Sequence, residues 1–293
     1  MKLPSLSIIL PAKNEAHGLR NLLPALKQLY PGAELVVVND GSTDETISVC
    51  AQHKVKVVTH PYTIGNGAAV KTGARVATGE VLVFMDADGQ HSPDDIQAML
   101  QKMEEGYDMV VGARRKGTQA GRRRAIGNSL YNRVASWMTG FKIEDLTSGF
   151  RVVRADKFKR FLYLLPNGFS YPTTITMAFF RSAFPVAYIP INAGTREGKS
   201  KLNLVKDGIR FSIIILKIGA LFSPMRLFLP VSLGLFLIGL SYYSYTYFSS
   251  GRFTNMSALL FISSLLTFLI GIVSEQVSSL HYRGTDDSSK PQM

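Results

Sequence analysis

The 293-residue chain has one cysteine, Cys50, and one tryptophan, Trp137. A lone cysteine excludes a disulfide framework and any cysteine-built zinc or iron–sulfur site, and it fits a reducing compartment. With 18% of residues charged and 46% hydrophobic, the chain is neither disordered nor fibrous, and 17 Phe and 12 Tyr can furnish a core. No secretory signal is expected at the start. The apolar run over residues 3–10 is short, contains Pro4 and leads into Lys13-Asn14-Glu15 rather than a small-residue cleavage site.

The net charge of +12 is unevenly placed. Residues 1–111 hold 9 Lys/Arg against 13 Asp/Glu, residues 112–160 hold 13 against 3, and residues 196–226 hold 7 against 2. An acidic first part and a basic second part imply two different ligands rather than one nucleic-acid-binding face, so no nucleic acid partner is expected.

Two stretches of 22 residues, 227–248 and 253–274, contain no charged residue. As helices each would reach about 33 Å, enough to cross a hydrocarbon core roughly 30 Å thick. The connector 249–252 allows only a tight hairpin, which puts both chain ends on one side. Seven Lys/Arg precede the first span against Arg252 in the hairpin, which predicts both ends in the cytoplasm of a cytoplasmic-membrane protein. Residues 202–222 predict an amphipathic helix. Lys206, Arg210 and Lys217 fall at about 0°, 40° and 20° around it, one basic stripe on an otherwise apolar surface that suits the lipid interface. Packing of that helix on the globular part is the alternative.

Across the first 113 residues, apolar runs alternate with helical patterns. Residues 5–10, 34–39, 56–60, 80–86 and 108–113 predict strands, and 15–30, 44–52, 65–77 and 93–105 predict helices. Unbroken Val/Ile/Leu runs predict strands covered on both faces, hence a mostly parallel sheet in an α/β domain. Ligands of such sheets gather at the carboxyl ends of the strands. Three predicted strand ends carry polar motifs there: Pro11-Ala12-Lys13-Asn14-Glu15, Asn39-Asp40-Gly41-Ser42-Thr43-Asp44 and Asp86-Ala87-Asp88-Gly89-Gln90.

Asp86 and Asp88 follow five apolar residues. Two carboxylates ending a buried strand repel each other unless a cation lies between them, and oxygen donors with no His or Cys nearby suit Mg²⁺ or Mn²⁺. Asp40 could accept an N–H from uracil or guanine. The run Asp40-Gly41-Ser42-Thr43-Asp44 also makes a good turn, with Ser42 or Thr43 capping the next helix. Gly65-Asn66-Gly67 with Lys71 reads as a helix start whose lysine faces the ligand, and it lacks the Gly-Lys-Ser/Thr ending of a nucleotide hydrolase.

These motifs in this order resemble a family 2 inverting glycosyltransferase with the GT-A fold, a Rossmann-like, mostly parallel α/β domain. Three later motifs narrow the resemblance: Asp145-Leu146-Thr147-Ser148-Gly149-Phe150-Arg151, then Arg196-Glu197-Gly198-Lys199-Ser200-Lys201, then Ser223-Pro224-Met225-Arg226 ahead of two spans. Together they are similar to the polyprenyl-phosphate sugar synthases. The Gln-x-x-Arg-Trp motif of processive family members is missing.

The resemblance implies a hexosyltransferase that moves a sugar from a GDP- or UDP-linked donor to undecaprenyl or dolichyl phosphate. It implies that Pro11, Ala12, Asn14, Glu15, Asp40, Asn66, Lys71, Asp86, Ala87 and Asp88 hold the nucleotide-sugar, and that Asp86, Asp88 and Gln90 hold the metal. Arg114, Arg133, Ser148, Arg151, Arg196, Lys199 and Lys201 would receive the acceptor phosphate. Asp86, Asp88, Arg114 and Arg151 would be catalytic. The remaining basic residues Arg115, Lys116, Arg122, Arg123 and Arg124 read as a solvated or headgroup-facing patch. The implied organisation is a catalytic domain over 1–201, an interfacial helix over 202–222, a transmembrane hairpin over 223–279 and a tail over 280–293, with association between copies through the membrane region. Two alternatives stand beside this reading: transfer to another membrane glycolipid or polysaccharide, and a catalytically silent nucleotide-binding scaffold.

Overall fold

A computed structural model describes residues 4–115, 122–168, 170–192, 213, 216 and 219–287, with the side chains of 122–128, 130 and 281–287 left aside. The chain folds as two compact units, Met1–Trp137 with Phe141–Lys201, and Met138–Gly140 with Leu202–Met293.

The first unit opens with alternating strands and helices: β1 (Leu6–Ala12), α1 (Ala16–Leu29), β2 (Glu34–Asn39), α2 (Thr46–Gln52), β3 (Lys56–Thr59), α3 (Asn66–Val76), β4 (Val81–Phe84), α4 (Asp95–Glu104) and β5 (Met109–Arg114). The predicted elements are all present, with ends shifted by a few residues. There follow α5 (Arg122–Thr139), β6 (Arg151–Arg154), α6 (Ala155–Lys159), α7 (Tyr171–Arg181) and β7 (Val186–Ile191).

The sheet order is β3-β2-β1-β4-β6-β5-β7. β6 runs antiparallel between β4 and β5, and every other pair is parallel. The four-residue β6 has no sequence signature of its own. Its Arg-Val-Val-Arg pattern becomes a strand because β4 and β5 supply partners on both sides.

Alternate strand residues feed two cores. Ile8, Leu10, Val37 and Val83 join Leu19, Leu23 and Leu26 of α1, Val49 and Cys50 of α2, and Ile96 and Met99 of α4 in one cluster. On the opposite face Ile9 and Val38 reach α3 so closely that a Cβ on Gly73 would lie 2.3 Å from Ile9 Cγ2. Fully burying one such aliphatic side chain contributes about 1.5–3 kcal/mol, which is why both faces of the sheet are covered. The strand order reverses at β1, whose neighbours are β2 and β4, and the carboxyl ends of strands at such a reversal are where sheets of this kind bind ligands.

The second unit contains α8 (Pro224–Ser250) and α9 (Asn255–Asp287). Over Pro224–Ser250 and Asn255–Leu280 both are long and apolar enough to cross a membrane. They are bound as a hairpin: Ser232 Oγ donates to the Ser264 carbonyl and Ser264 Oγ to the Ser232 carbonyl, each at 2.9 Å. Most of the predicted amphipathic helix, with Lys206, Arg210 and Lys217, lies outside the described residues, and 213, 216 and 219–222 are helical.

Candidate active site

The loops after β1 and β2 are built by their own polar side chains. Asn14, in the left-handed region with φ of 56°, accepts from the Thr43 N–H at 2.8 Å, and its own N–H donates to Ser42 Oγ at 2.9 Å. Asp44 accepts from the Ala16 N–H at 3.1 Å and from the Thr46 N–H at 3.0 Å, tying α1 to α2, while the Glu15 N–H donates to Thr46 Oγ1. Burial would raise the Asp44 carboxyl, but these donors outweigh it and hold it below the ordinary range. Pro11 and buried Ala12 form the floor, with the Ala12 carbonyl accepting from the Asp40 N–H.

Asp40 is 4% exposed and already well supplied with donors. Oδ1 lies 2.7 Å from His60 Nδ1 and accepts from the Ile64 N–H, and Oδ2 accepts from the Gly65 N–H at 2.9 Å. These contacts overcome its burial and lower its pKa. His60 Nε2 in turn lies 2.9 Å from Thr72 Oγ1. The sequence reading missed His60, although its place at the end of β3 follows the same strand-end rule that selected the other motifs.

Asn66 is the first residue of α3. Lys71 corrects the expectation that it faces the ligand. Its ammonium donates to the Leu165 carbonyl at 3.0 Å and to Asn167 Oδ1 at 2.5 Å, so it fastens the loop before α7. The Ala68 N–H is likewise taken by the Asn167 carbonyl, which removes one donor from a phosphate cradle at this helix start.

Asp86 and Asp88 leave the end of β4, half-buried, on either side of Ala87, which is 1% exposed. Ala87 is pinned by α1: a Cβ on Gly18 would lie 2.1 Å from the Ala87 carbonyl oxygen, so only glycine permits this approach. The Gln90 N–H donates to Asp88 Oδ1 at 3.1 Å across Gly89, whose φ of +74° suits glycine. One correction concerns histidine. His91 lies three positions beyond Asp88, buried and stacked on Phe150 at 4.9 Å, and burial lowers its pKa, outweighing the nearby Asp88 charge that would raise it.

The basic motifs reach this edge from β5 and β6. Arg114 forks onto Asp145, Nε to Oδ2 at 2.8 Å and Nη2 to Oδ1 at 2.9 Å, and Nη2 also donates to Thr147 Oγ1 at 2.6 Å. Burial disfavours the Arg114 cation, but Asp145 and then Asp86 more than compensate, so its pKa is raised. Its side chain keeps 28% exposure. Two residues beyond Thr147, a Cβ on Gly149 would lie 3.4 Å from Asp86 Oδ2, so the Asp145–Arg151 segment packs against Asp86.

Arg151 is a third correction. It was expected to touch the acceptor phosphate, but it is 0% exposed. Its guanidinium donates inward to the Pro172 carbonyl and Thr176 Oγ1, each at 3.2 Å, and to the Ser148 carbonyl. Desolvation lowers its pKa. A side chain sealed under the sheet edge cannot reach a lipid phosphate. Ser148 is also buried, and among the described residues its hydroxyl has no hydrogen-bond partner. Arg133 is exposed on α5. Arg196, Lys199 and Lys201 lie outside the described residues.

Hard oxygen donors at Asp86 and Asp88 fit a divalent cation. No group of three or more His, Cys, Asp or Glu side chains is gathered for a metal among the described residues. Two carboxylates therefore leave most of a six-oxygen shell to a ligand's own oxygens. A cavity of about 750 Å³ lies at the other end of the strands, where Arg154 pairs with Asp108 at 3.2 Å and no site motif is present.

The chain is 25% identical over 96% of its length, and 89% of the relative's, to "Putative glycosyltransferase CsbB" of Bacillus subtilis. It is 27% identical over 67% of its length, and 80% of the relative's, to "Polyprenol monophosphomannose synthase" of Mycolicibacterium smegmatis. The fold matches glucosyl-3-phosphoglycerate synthase from Mycobacterium tuberculosis, solved with Mn²⁺ and UDP-glucose, at a TM-score of 0.60 and 19% identity over 74% of this chain and 78% of that one. The sheet is thus that of a GT-A fold. Residues 223–280 match the GtrB C-terminal hairpin and residues 7–162 match glycosyl transferase family 2, so the chain belongs to that family and is a glycosyltransferase.

Proposed function

We propose that the protein transfers a sugar from a nucleoside diphosphate donor to a membrane polyprenyl phosphate, with inversion and with Mg²⁺ or Mn²⁺ at Asp86 and Asp88. The observation that carries this reading is the approach of the Asp145–Arg151 segment to Asp86, which brings a clamped guanidinium to the acidic pair. The relative named a polyprenol monophosphomannose synthase and the hairpin match support a lipid phosphate acceptor.

The chemistry required is mainly electrostatic. An acceptor phosphate is already ionised near neutral pH and needs no strong base to attack the anomeric carbon. The difficulty is repulsion between an anionic acceptor and an anionic donor. A cation held by Asp86 and Asp88 supplies charge neutralisation of the leaving diphosphate. Arg114, held in a fixed fork by Asp145 and Thr147, presents its exposed part to the acceptor side, and exposed Arg133 adds a second positive charge. The unpartnered Ser148 hydroxyl is a further donor in the same turn. Asp40, whose lowered pKa keeps it an acceptor, takes an N–H of uracil or guanine on its remaining lone pair. The Pro11–Glu15 loop and Asn66 border the nucleotide. The hairpin holds the enzyme at the bilayer, and the positive-inside bias sets both ends on the cytoplasmic side.

The test is a panel of nucleotide sugars offered to the purified full-length protein with polyprenyl phosphate as sole acceptor, with Mg²⁺ or Mn²⁺ and with chelator. A phosphate-linked sugar that disappears with chelator is expected. Transfer only when another glycolipid is supplied, or nucleotide binding without product, would defeat the reading.

A further inference from the structure

We propose that the end of α5 is an interfacial anchor, with the Trp137 and Phe141 side chains lying in the phospholipid headgroup layer at the face of the membrane where the first span begins. This rests on the reading of α8 and α9 as a membrane-spanning hairpin.

The hairpin marks its own two ends. At the far end of α8, Tyr242, Tyr245, Tyr247 and Phe248 are exposed, and exposed Phe253 follows in the connector. Tyrosine collects where a span leaves the hydrocarbon, because its ring is apolar and its hydroxyl takes water. At about 1.5 Å per residue, α8 rises roughly 27 Å from Pro224 to Tyr242 and roughly 36 Å to Phe248, which brackets a hydrocarbon core about 30 Å thick. Pro224 therefore stands at the opposite boundary. Charge agrees with length. Arg226 directly precedes the uncharged stretch of α8 and Glu275 directly follows that of α9. Glu275 accepts from the Met225 N–H at 3.4 Å, so the uncharged stretches of both helices stop at one level.

The end of α5 is tied to that boundary. Met138–Gly140 belong to the same compact unit as the hairpin. The Ser223 hydroxyl donates to the Met138 carbonyl at 2.9 Å, and a Cβ on Gly140 would lie 3.6 Å from both terminal nitrogens of Arg226. The Ser278 hydroxyl closes the same elbow on the Leu221 carbonyl at 2.6 Å. Gly140, with φ of +82°, follows the last residue of α5 and turns the chain.

Trp137 and Phe141 are the covalent neighbours of this tied segment, one on each side, and they are 52% and 56% exposed. Phe141 keeps that exposure although its ring stacks on Phe180 at 5.1 Å. Such exposure of large rings is unfavourable in water. In the headgroup layer an indole buries its ring and keeps its N–H hydrated, which is why tryptophan is enriched there. Arg133, four positions before Trp137 and so on the same side of α5, is exposed as well and adds a cation that anionic headgroups attract.

Trp137 is the chain's only tryptophan, so the intrinsic fluorescence of the unaltered protein reports this position alone. The full-length protein is reconstituted into phosphatidylcholine–phosphatidylglycerol vesicles whose acyl chains carry bromine either near the headgroup or near the terminal methyl. The shallow bromine is expected to quench about twofold more than the deep one, and acrylamide quenching is expected to fall severalfold from that of free tryptophan. An indole at position 141, in Trp137→Phe, Phe141→Trp protein, should show the same order. Trp137 emission that neither bromine quenches would overturn the proposal: with acrylamide access it marks a water-facing patch, and without it a patch covered by protein. Stronger quenching by the deep bromine would overturn it as well. If the protein floats with the vesicles, these outcomes defeat the anchor alone. Failure to float would defeat the reading of the hairpin, and this inference with it.

Discussion

The acidic and basic edges of the site are built on the same plan with opposite charge. On the acidic edge, Asn14, Asp40 and Asp44 use their side chains to shape loops, accepting backbone N–H groups, while Asp86 and Asp88 stand at the strand end. On the basic edge, Arg151 is turned inward to carbonyls and Arg114 is clamped by Asp145, while Arg133 stands exposed on α5. Each edge thus holds groups that build it and groups that keep exposure; on the reading proposed above the exposed ones meet the ligand, and Asp40 and Arg114 do both. Burial and partners separate the two, because a charged group in the interior is stable only when it is hydrogen-bonded or paired.

The strongest way to sharpen that division is Asp88→Asn. We expect transfer to fall by about a hundredfold or more with the fold intact, measured as phosphate-linked sugar formed alongside circular dichroism. A variant that turned over normally would place Asp88 among the builders.

Asp145→Asn should do the reverse. It leaves the Arg114 guanidinium without its carboxylate, and stability should fall by roughly 3 kcal/mol in urea unfolding, with loss of activity following the loss of fold. Lys71→Ala should cost about 1 kcal/mol, the size of a net hydrogen-bond contribution, with an unchanged donor KM, because its ammonium serves the loop before α7. A raised donor KM at unchanged stability would return Lys71 to the ligand. Arg133→Ala should leave stability within about 0.5 kcal/mol and raise the acceptor KM alone.

The smallest effect concerns pH. Asp40 and Asp44 have folded pKa values below the ordinary 3.8, so the unfolded chain binds protons first as pH falls. Their contribution is complete above that value and is lost as pH drops through the folded ones. The urea midpoint should therefore decline below about pH 4, and Asp44→Asn should flatten that decline.

Much of this was legible in the chain. The apolar runs marked β1 to β5, and the strand-end rule selected Asp40, Asp86 and Asp88 as neighbours of one crevice. It could have selected His60 as well. By contrast, β6 was hidden because four residues with arginine at both ends carry no strand pattern until β4 and β5 flank them. Arg151 was misjudged for the same reason: a basic residue in a glycine-containing motif looks like a phosphate ligand, and only the packing of α7 over β6 shows that it is sealed.

What the sequence determined by itself was the order of elements, the two apolar spans and the motifs that place the chain in its family. These follow from local propensity and from the periodicity of apolar side chains. The tertiary structure decided which charges are free to act. Lys71 meets Asn167 across 96 positions and Arg114 meets Asp145 across 31, pairings that no local pattern encodes. They exist because each buried polar group must find a partner, and the partner that closes on it is set by how the helices pack on the sheet.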